Sequence, residues 1–519
     1  MSKKLVKSGI IVSAMTLISR VLGLVRDVVI ANLLGAGSSA DVFFFANKIP
    51  NFLRRLFAEG AFAQAFVPVL TEYQEKNTSE EVRELISKVA GTLGILVTVV
   101  TLVGVIASPV LAALFGGGWF LAWVNDEPNG AKFELASLML KITFPYLWFI
   151  TFTALAGSIL NTRGRFAVSA FTPVFLNIAI IAAAIYLAPN LSQPEIGLAC
   201  GVFLGGLIQF LFQIPFLMKE KAVVKPSWGW NHPGVTKIRT LMIPALFGVS
   251  VSQINLLLDT FIASFLMTGS ISWLYYSDRL LEFPLGLFGI AIATVILPAL
   301  SKRHVNAESV EFAKTMDWGV KAIILLGLPA MCGLIMLAKP MLMVLFMRGA
   351  FSYNDVEMAS YSLMAYGSGL LSFMLIKILA PGYYSRQDTR TPVRYGIIAM
   401  VSNMVFNLIF AIPFGYVGLA IATSMSALLN AGLLYRGLHK ANVYRVNKAT
   451  VMFLVKSAIA AGVMLLVLFQ FDPTTPQWLD LSFVERSYTL AKLIVFAAVA
   501  YFICLVCLGI RPWKMKAAV

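Results

Sequence analysis

The sequence SRVLGLVRD, from Ser19 to Asp27, decides the fold because it places three charges inside an apolar stretch. The apolar residues around it predict a membrane-spanning helix. At about 100° per residue, its polar side chains share roughly a third of the helix circumference. A charge at the bilayer centre costs about 2.5–3.5 kcal/mol even on a mild insertion scale. We therefore predict that these side chains face a water-filled cavity. They are Ser19, Arg20, Arg26 and Asp27.

A second interpretation of this stretch is that Arg26 and Asp27 neutralise each other and serve only packing. Arg20 would then lack a partner on its own helix, which favours the cavity. The second predicted span also carries charges. Pro50 interrupts its helical periodicity, so the periodicity does not show whether Arg54 or Arg55 shares a face with the other charges. The alternative for this span is that its charges extend to the cytoplasmic interface. They are Asp41, Lys48, Arg54, Arg55 and Glu59.

The composition is typical of a polytopic membrane protein. The chain has 519 residues, of which 59% are hydrophobic and 13% are charged, whereas soluble proteins carry about 25% charged residues. Apolar runs of about 20 residues, the length that crosses a bilayer as a helix, recur along the whole chain. The net charge of +16 lies mostly in short loops, as the positive-inside rule expects, so it does not indicate nucleic-acid binding.

We predict an all-α polytopic membrane protein with about 14 transmembrane helices. The loops alternate between basic segments and segments almost free of Lys and Arg, which predicts that both termini are cytoplasmic. The predicted spans are residues 8–33, 40–69, 89–115, 132–160, 166–188, 196–218, 237–266, 272–300, 317–337, 355–384, 393–412, 417–438, 450–471 and 488–509.

An internal repeat divides most of the chain into two halves. DVVIANLLGAGS, from Asp27, matches DTFIASFLMTGS, from Asp259, at an offset of 232 residues. The offset spans six helices, so the copies have one orientation and form six-helix halves related by a pseudo-two-fold axis along the membrane normal. The predicted regions are an N-terminal half (1–218), a basic linker on the cytoplasmic interface (219–236), a C-terminal half (237–438), and helices 13 and 14 with a cytoplasmic tail (439–519).

The eighth predicted span places Asp278, Arg279 and Glu282 on one side of its helix. The alternative to a functional role is a self-satisfied Arg279–Glu282 pair. If these charges face the cavity, both halves contribute arginines, whose planar forks can bond two phosphate oxygens each. We therefore predict an anion site that suits a diphosphate. Its residues are Arg20, Arg26, Arg54, Arg279, Asp41, Ser19, Asp27, Lys48, Glu59, Asp278 and Glu282.

Catalytic constellations do not stand out in the sequence. There is no Walker loop, no metal motif in a large soluble loop and no Ser-His-Asp arrangement. The three histidines, His232, His304 and His439, lie in predicted cytoplasmic loops. We therefore predict a transporter and not an enzyme. It would need no cofactor and would run on an ion gradient, the membrane potential or the substrate gradient.

One acid in mid-span suggests a cation site. Asp259 is the repeat mate of Asp27, but its neighbour is Leu258 where the first half has Arg26. Ionisable residues within spans are rare and are functional candidates by default. Together with amide and hydroxyl oxygens of spans 11 and 12, it would form an all-oxygen shell for Na⁺. The alternative is that Asp259 offsets a cavity arginine while the other residues bond across helices. The predicted ligands are Asp259, Asn403, Asn407 and Thr423.

Several motifs together resemble the MurJ (MviN) lipid II flippases, which belong to the multidrug/oligosaccharidyl-lipid/polysaccharide exporter superfamily. The resemblance covers essentially the whole chain, and the motifs are specific only in combination. They are SRVLGLVRD at Ser19, GAGSSADVFF at Gly35, KIPNFLRRLFAEGAFAQAFVP at Lys48, GVSVSQINLLLD at Gly248, WLYYSDRLLEFPLG at Trp273 and LAPGYYSRQDTRTPV at Leu379.

The resemblance implies a function. Such a protein moves the undecaprenyl-diphosphate-linked peptidoglycan precursor from the cytoplasmic to the periplasmic leaflet of the bacterial inner membrane by alternating access. The family's cavity residues correspond to Arg20, Arg26, Arg54, Arg279 and Asp41, which favours Arg54 over Arg55. Helices 13 and 14 would help to form a groove for the polyprenyl tail. Expected partners are lipid II, membrane lipids and the cell-wall synthesis machinery.

Three other functions are alternatives to lipid II transport. A flippase for another polyprenyl-linked oligosaccharide and a cation-coupled drug exporter would share the fold, but a cationic drug does not require four cavity arginines. A membrane enzyme acting on polyprenyl-linked sugars would need a positioned acid or base and usually a larger external loop, and neither is apparent in the sequence.

Overall fold

The structure is a computed structural model that describes residues 3–56 and 62–515, with side chains from residue 14 onward except at 245, 247–249, 251–252, 290 and 294. The predicted site residue Glu59 lies outside the described residues. Every regular element in the described part of the chain is a helix. The prediction of an all-α membrane protein is confirmed.

Eleven helical segments in the described residues are long and apolar enough to cross a membrane, and each overlaps a predicted span. The three remaining predicted spans are 8–33, 40–69 and 237–266. The helix of the first carries three charges within eight residues. The second contains residues 57–61, which the structure does not describe, and the third contains residues whose side chains it does not describe. The count of 14 therefore stays a prediction.

The chain divides into two compact units. Unit 1 comprises Met1–Ser272 and Arg348–Phe351, and unit 2 comprises Trp273–Met347 and Ser352–Val519. The helices of unit 1 are α1 (Lys3–Leu34), α2 (Ser38–Leu53), α3 (Phe62–Lys76), α4 (Ser79–Ile106), α5 (Ser108–Phe115), α6 (Gly117–Val124), α7 (Ala131–Thr143), α8 (Tyr146–Thr162), α9 (Phe166–Phe171), α10 (Pro173–Ala182), α11 (Pro194–Lys219) and α12 (Pro233–Ala263).

The packing of unit 1 decides which side chains meet the charges of α1 and α2. α1 packs along α9 and α10, α2 packs against α7, and α12 packs against α3. A buried apolar cluster joins α3, α4, α8 and the start of α12. The four-residue segment Arg348–Phe351 also belongs to this unit, where the Ala350 amide donates to the carbonyl of Asn32 at the end of α1 (3.0 Å).

The next helix, α13 (Ser270–Pro284), has its first three residues in unit 1 and the others in unit 2. A π-helical segment, Leu285–Ile290, follows it. The other helices of unit 2 are α14 (Ala291–Val305), α15 (Ser309–Met336), α16 (Ala338–Phe346), α17 (Tyr353–Ser368), α18 (Leu370–Leu379), α19 (Pro381–Tyr384), α20 (Arg390–Phe414), α21 (Tyr416–Lys440), α22 (Lys448–Phe471), α23 (Thr475–Asp480) and α24 (Phe483–Cys507).

Two helix pairs organise unit 2. α20 and α21 form a hairpin around Gly415, whose positive φ of 58° is a conformation that glycine adopts readily. α22 and α24, the predicted spans 13 and 14, pack on each other and on α15, and Ala460 and Ala461 of α22 are buried. The exposed surface of these helices is formed by larger aliphatic residues such as Ile459 and Leu466. A groove for a polyprenyl tail therefore stays a prediction.

Compact units and sequence repeats are different divisions of the chain. The units separate after Ser272, because α12 packs within unit 1. The repeat places its boundary at the linker 219–236. The repeat-based regions therefore stay a prediction.

Candidate functional site

Two charged residues of α1, Arg26 and Asp27, form a buried cluster with α10. Arg26 donates from Nε (3.0 Å) and Nη2 (2.8 Å) to Oδ1 of Asp27, which is 2% exposed. Its Nη1 donates to Oδ1 of Asn177 on α10 (3.0 Å), and Nδ2 of Asn177 donates to the carbonyl oxygen of Ser19 (3.1 Å). The Arg26 side chain is only 13% exposed. The guanidinium is therefore held in one orientation within a helix that the sequence assigns to the membrane.

Asn177 is a site residue that sequence reasoning missed. It lies in the run FTPVFLNIAII, where it is the one amide among apolar residues. A polar side chain within a span usually faces another helix. The isolated amide was therefore the feature of the sequence that could have identified Asn177 as a site residue. Its amide orients Arg26 and at the same time ties α10 to α1 through Ser19.

Arg20 behaves differently from Arg26. Its side chain is exposed, and no hydrogen bond or ion pair joins it to another described residue. Exposed apolar side chains, among them Leu17 and Val21, flank it on the same helix. Of the two arginines of this stretch, only Arg26 has the carboxylate partner that the packing interpretation requires.

Lys48 of α2 and Arg55, which follows the end of α2, contact α12 within unit 1. Nζ of Lys48 donates to Oγ1 of Thr260 (3.1 Å), which is buried. Arg54 is half-buried and its Nε donates to Oδ1 of Asn51, one turn earlier (3.2 Å). Arg55 is exposed and reaches α12 through Gln253 (3.4 Å). The choice of Arg54 over Arg55 for substrate stays a prediction.

Asp41, the predicted cavity acid, is buried and caps a helix. Its Oδ2 accepts from the Gly269 amide (2.7 Å), and its Oδ1 accepts from the Ser272 amide (2.9 Å) and hydroxyl (2.6 Å). These residues flank the first residue of α13, so a carboxylate from α2 satisfies donors at the positive end of that helix. Lys132, buried nearby, adds an electrostatic attraction and donates to Thr268 (2.7 Å).

The charges of α13 lie on the helix that Asp41 caps. Nη1 of Arg279 donates to Oε2 of Glu282, one turn later (3.1 Å), and its guanidinium lies 5.0 Å from the ring centre of Tyr275. Asp278 and Glu282 are exposed. The π-helical segment starts three residues after Glu282, and such segments are often found at functional sites. The pair matches the alternative interpretation of this span, although its exposure leaves both partners accessible to a ligand.

The predicted site residues therefore form separate groups. Unit 1 brings Ser19, Arg26 and Asp27 together and links Lys48 and Asp41 to other elements, whereas Arg279 belongs to unit 2. The prediction that the four arginines line one cavity stays a prediction.

Unit 2 contains three of the four predicted cation ligands. Asn403 and Asn407 are buried one turn apart on α20, and Thr423 lies on the adjacent helix α21, where its hydroxyl donates to the Leu419 carbonyl (3.0 Å). Oδ1 of Asn403 is buried and accepts no hydrogen bond from a described residue. Asp259 is half-buried near the end of α12 in unit 1, so a common site stays a prediction. The described residues contain no group of three or more His, Cys, Asp or Glu that could hold a metal ion.

The comparisons with known proteins agree with one another. The family profile described as "Lipid II flippase MurJ" matches residues 30–489. A protein of Vibrio cholerae serotype O1, named "Probable lipid II flippase MurJ", is 69% identical over 100% of this chain and 98% of its own length. A protein of Haemophilus influenzae with the same name is 65% identical over 96% of this chain and 98% of its own length.

Solved structures give the same result for the fold. The structure "Lipid II flippase MurJ, inward closed conformation" has a TM-score of 0.80 and 28% identity, over 95% of this chain and 98% of that one. An inward-facing multidrug resistance MATE family transporter of the MOP superfamily has a TM-score of 0.67 over 84% of this chain and 98% of that one. Its identity is 14%, so this second likeness concerns the fold alone.

Proposed function

Because the chain belongs to the MurJ family of lipid II flippases, we propose that it moves lipid II from the cytoplasmic to the periplasmic leaflet of the bacterial inner membrane. Arg26 is the structural observation that supports this function. A guanidinium that is fixed by Asp27 and Asn177 inside a membrane helix is pre-oriented for an anionic group, and a fixed fork loses little entropy when it binds phosphate oxygens.

The proposed mechanism is alternating access. The diphosphate of lipid II binds to Arg20, Arg26, Arg54 and Arg279, and its two phosphates replace part of the carboxylate contacts that Asp27 and Glu282 make with arginines in the structure. A ligand shifts the balance between inward and outward states only by its difference in affinity for the two. Substrate that leaves the arginines on the periplasmic side lets the carboxylates pair with them again, which favours return to the inward state.

The same proposal covers orientation and partners. In this proposal both termini are cytoplasmic, which the basic loops on one side of the predicted topology support. The proposed direction delivers a peptidoglycan precursor to the periplasmic side, so enzymes of cell-wall synthesis are its proposed partners. The drug-exporter alternative has no support in the site, because fixed arginines repel a cationic drug.

Depletion of the protein in its host tests the proposed function. We expect lipid II to accumulate in the cytoplasmic leaflet, where a membrane-impermeant reagent added to intact spheroplasts does not modify it. A plasmid copy of the wild-type gene should restore modification. Unchanged periplasmic exposure of lipid II after depletion would refute the proposal.

We further propose that Asp259, Asn403, Asn407 and Thr423 bind Na⁺ and couple its gradient to transport. The buried, unsatisfied Oδ1 of Asn403 supports an oxygen ligand set. Sodium at about tenfold above its dissociation constant should stabilise the purified protein by roughly 1.4 kcal/mol. Thermal unfolding in NaCl against choline chloride measures this effect. Asp259→Ala and Asn407→Ala should abolish the difference, and an equal difference in the variants would exclude the site.

A further inference from the structure

Unit 1 contains an apolar cavity that the proposed transport route does not use. It has a volume of about 140 Å³ and lies between α4, α8 and the start of α12. Its size is close to that of an engineered cavity of about 150 Å³ that stays dry and binds benzene. Almost all of its lining is hydrocarbon, with Leu93, Val97 and Val100 on one wall and Leu147 and Ile238 on others. It therefore suits part of a hydrocarbon chain.

One end of the cavity carries a cation between aromatic rings and the apolar wall. Arg239 lines the cavity, and its guanidinium lies 3.9 Å from the ring centre of Trp230. Trp228 stacks on Trp230 with ring centres 6.0 Å apart and planes at 8°. Nη2 of Arg239 donates to the Trp230 carbonyl (3.2 Å), but its Nε is buried and has no hydrogen-bond partner among the described residues. A buried donor of this kind calls for an acceptor.

The loop that carries the two tryptophans is fixed on α4. The Ser227 amide donates to the Ser87 carbonyl (3.1 Å), and the Gly229 amide donates to Oγ1 of Thr92 (3.0 Å). A Cβ at Gly91 would lie 2.1 Å from the Ser227 carbonyl oxygen, so only glycine permits this approach. The cavity mouth is therefore a built surface and not a chance arrangement of a free loop.

The cavity runs from the charged end of α4 into its apolar part. Lys88 is the last charged residue of α4, and its Nζ donates to the Trp228 carbonyl (3.2 Å). At about 1.5 Å per residue, Val100 lies roughly 18 Å farther along the helix, and half of a bilayer's hydrocarbon core is about 15 Å thick. Leu96 and Val100 line the cavity and are also exposed on the outer face of α4. The cavity thus extends along α4 over a length comparable with the depth of one leaflet.

Arg239 and Lys88 are the two cations at this mouth, and Arg239 is the one that lines the cavity. The other cation of the first turns of α12, Lys237, forms an ion pair with Glu72, and its hydrogen bond lowers the pKa of that carboxyl. No ion pair joins Arg239 to a described acid. Tryptophans that flank a basic side chain are typical of the level of lipid headgroups, and the cytoplasmic leaflet carries anionic lipids.

We propose that this cavity binds an anionic phospholipid of the cytoplasmic leaflet, with its phosphate at Arg239 and one acyl chain between α4 and α12. The phosphate pairs with the half-buried guanidinium of Arg239, and the chain covers apolar surface from Leu93 to Val100. A bound lipid would reinforce the contact between the linker and α4. Its lining does not include Arg20, Arg26 or Arg54, which the proposed function uses, and its occupancy does not depend on transport.

Native mass spectrometry of the purified full-length protein tests this proposal. Dioleoyl phosphatidylglycerol and dioleoyl phosphatidylcholine are titrated separately, and the fraction of protein with one retained lipid is measured. Because a basic side chain near the headgroups contributes about 1 kcal/mol toward an anionic lipid, Arg239→Gln should weaken phosphatidylglycerol binding about fivefold. It should weaken phosphatidylcholine binding less, because the choline cation of that lipid offsets the charge of its phosphate. Arg394→Gln, an equal charge change on the exposed start of α20, should change neither.

Two further variants test the acyl chain. Val97→Phe fills the cavity and should weaken retention of both lipids. Leu96→Trp, at an exposed position on the cavity rim, should do the same in a protein whose thermal stability is unchanged. Equal binding of the two lipids to the wild type, or unchanged binding in Arg239→Gln or in both chain variants, would overturn the proposal. Displacement of phosphatidylglycerol by farnesyl diphosphate would also overturn it, because a prenyl chain would then be the occupant.

Discussion

Cells whose only copy of the flippase carries Arg26→Ala are expected to stop growing and to accumulate lipid II, although the protein still inserts into the membrane. The substitution removes a cation that Asp27 and Asn177 hold in place. A charge-assisted hydrogen bond contributes about 1.5–3 kcal/mol, so transport should fall by roughly 10- to 150-fold. Arg26→Lys keeps the charge without the planar fork and should rescue growth poorly. Growth of complemented cells and lipid II content are the measurements.

A second substitution separates function from stability at this site. Arg26→Ala leaves the buried Asp27 carboxylate without its cation, and breaking a buried ion pair costs about 3–5 kcal/mol. The double variant Arg26→Ala with Asp27→Ala removes both charges, so it should recover thermal stability while transport stays lost. A double variant that supports normal growth would show that the pair serves packing alone.

Arg279→Ala should also abolish growth, with a smaller effect on stability. Its partner Glu282 is exposed, and exposed ion pairs contribute about 0–1 kcal/mol. Loss of activity in this variant would therefore report on the substrate and not on folding. Arg394→Ala is the matched control, because this arginine is exposed and is not a predicted site residue. Normal growth with Arg279→Ala at native expression would remove this residue from the diphosphate site.

Asp41→Ala is expected to lower the free energy of unfolding on the order of 3 kcal/mol, because it removes a helix cap and charge-assisted hydrogen bonds. The carboxylate accepts from the amides of Gly269 and Ser272 and from the Ser272 hydroxyl. Thermal unfolding of the purified protein measures the loss. Ser272→Ala, which removes one of the three donors, should cost only about 1 kcal/mol. Transport should fall because α13, which carries Arg279, loses its fixed start.

The opposite outcome for Asp41 has a clear meaning. Full thermal stability of Asp41→Ala combined with lost transport would show that the carboxylate acts on the substrate, as the resemblance implies, and that its capping contacts contribute little. A capping role thus predicts that Asp41→Ala loses stability and transport together, whereas a substrate role predicts that it loses transport alone.

The membrane class and most spans could be predicted from the sequence because each is a local property. An apolar run of sufficient length forms a helix whatever packs beside it, so eleven predicted spans reappear. Charges inside such runs are rare, which is why Arg26 and Asp41 stood out at once. Because Arg26 and Asp27 are neighbours in the sequence, it also suggested both interpretations of this stretch, charges that face a cavity and a pair that serves packing.

The partners of these charges could not be predicted in the same way. Helical periodicity tells which face a residue occupies, but not which helix lies opposite. Asp41 meets Gly269 and Ser272 more than 200 residues later in the chain, and Arg26 meets Asn177 about 150 residues later. The stacking of Arg239 on Trp230 likewise depends on how the linker folds back on α4. Such contacts arise from tertiary packing alone.

Translocation of fluorescent lipid II in proteoliposomes tests the central claim most directly. Purified protein is reconstituted, and the fraction of lipid II that an impermeant quencher reaches is followed over time. We predict that the wild type transfers lipid II between leaflets faster than protein-free liposomes do, and that the Arg26→Ala, Asp27→Ala double variant does not. A wild type no faster than protein-free liposomes, or a double variant as fast as the wild type, would contradict the claim.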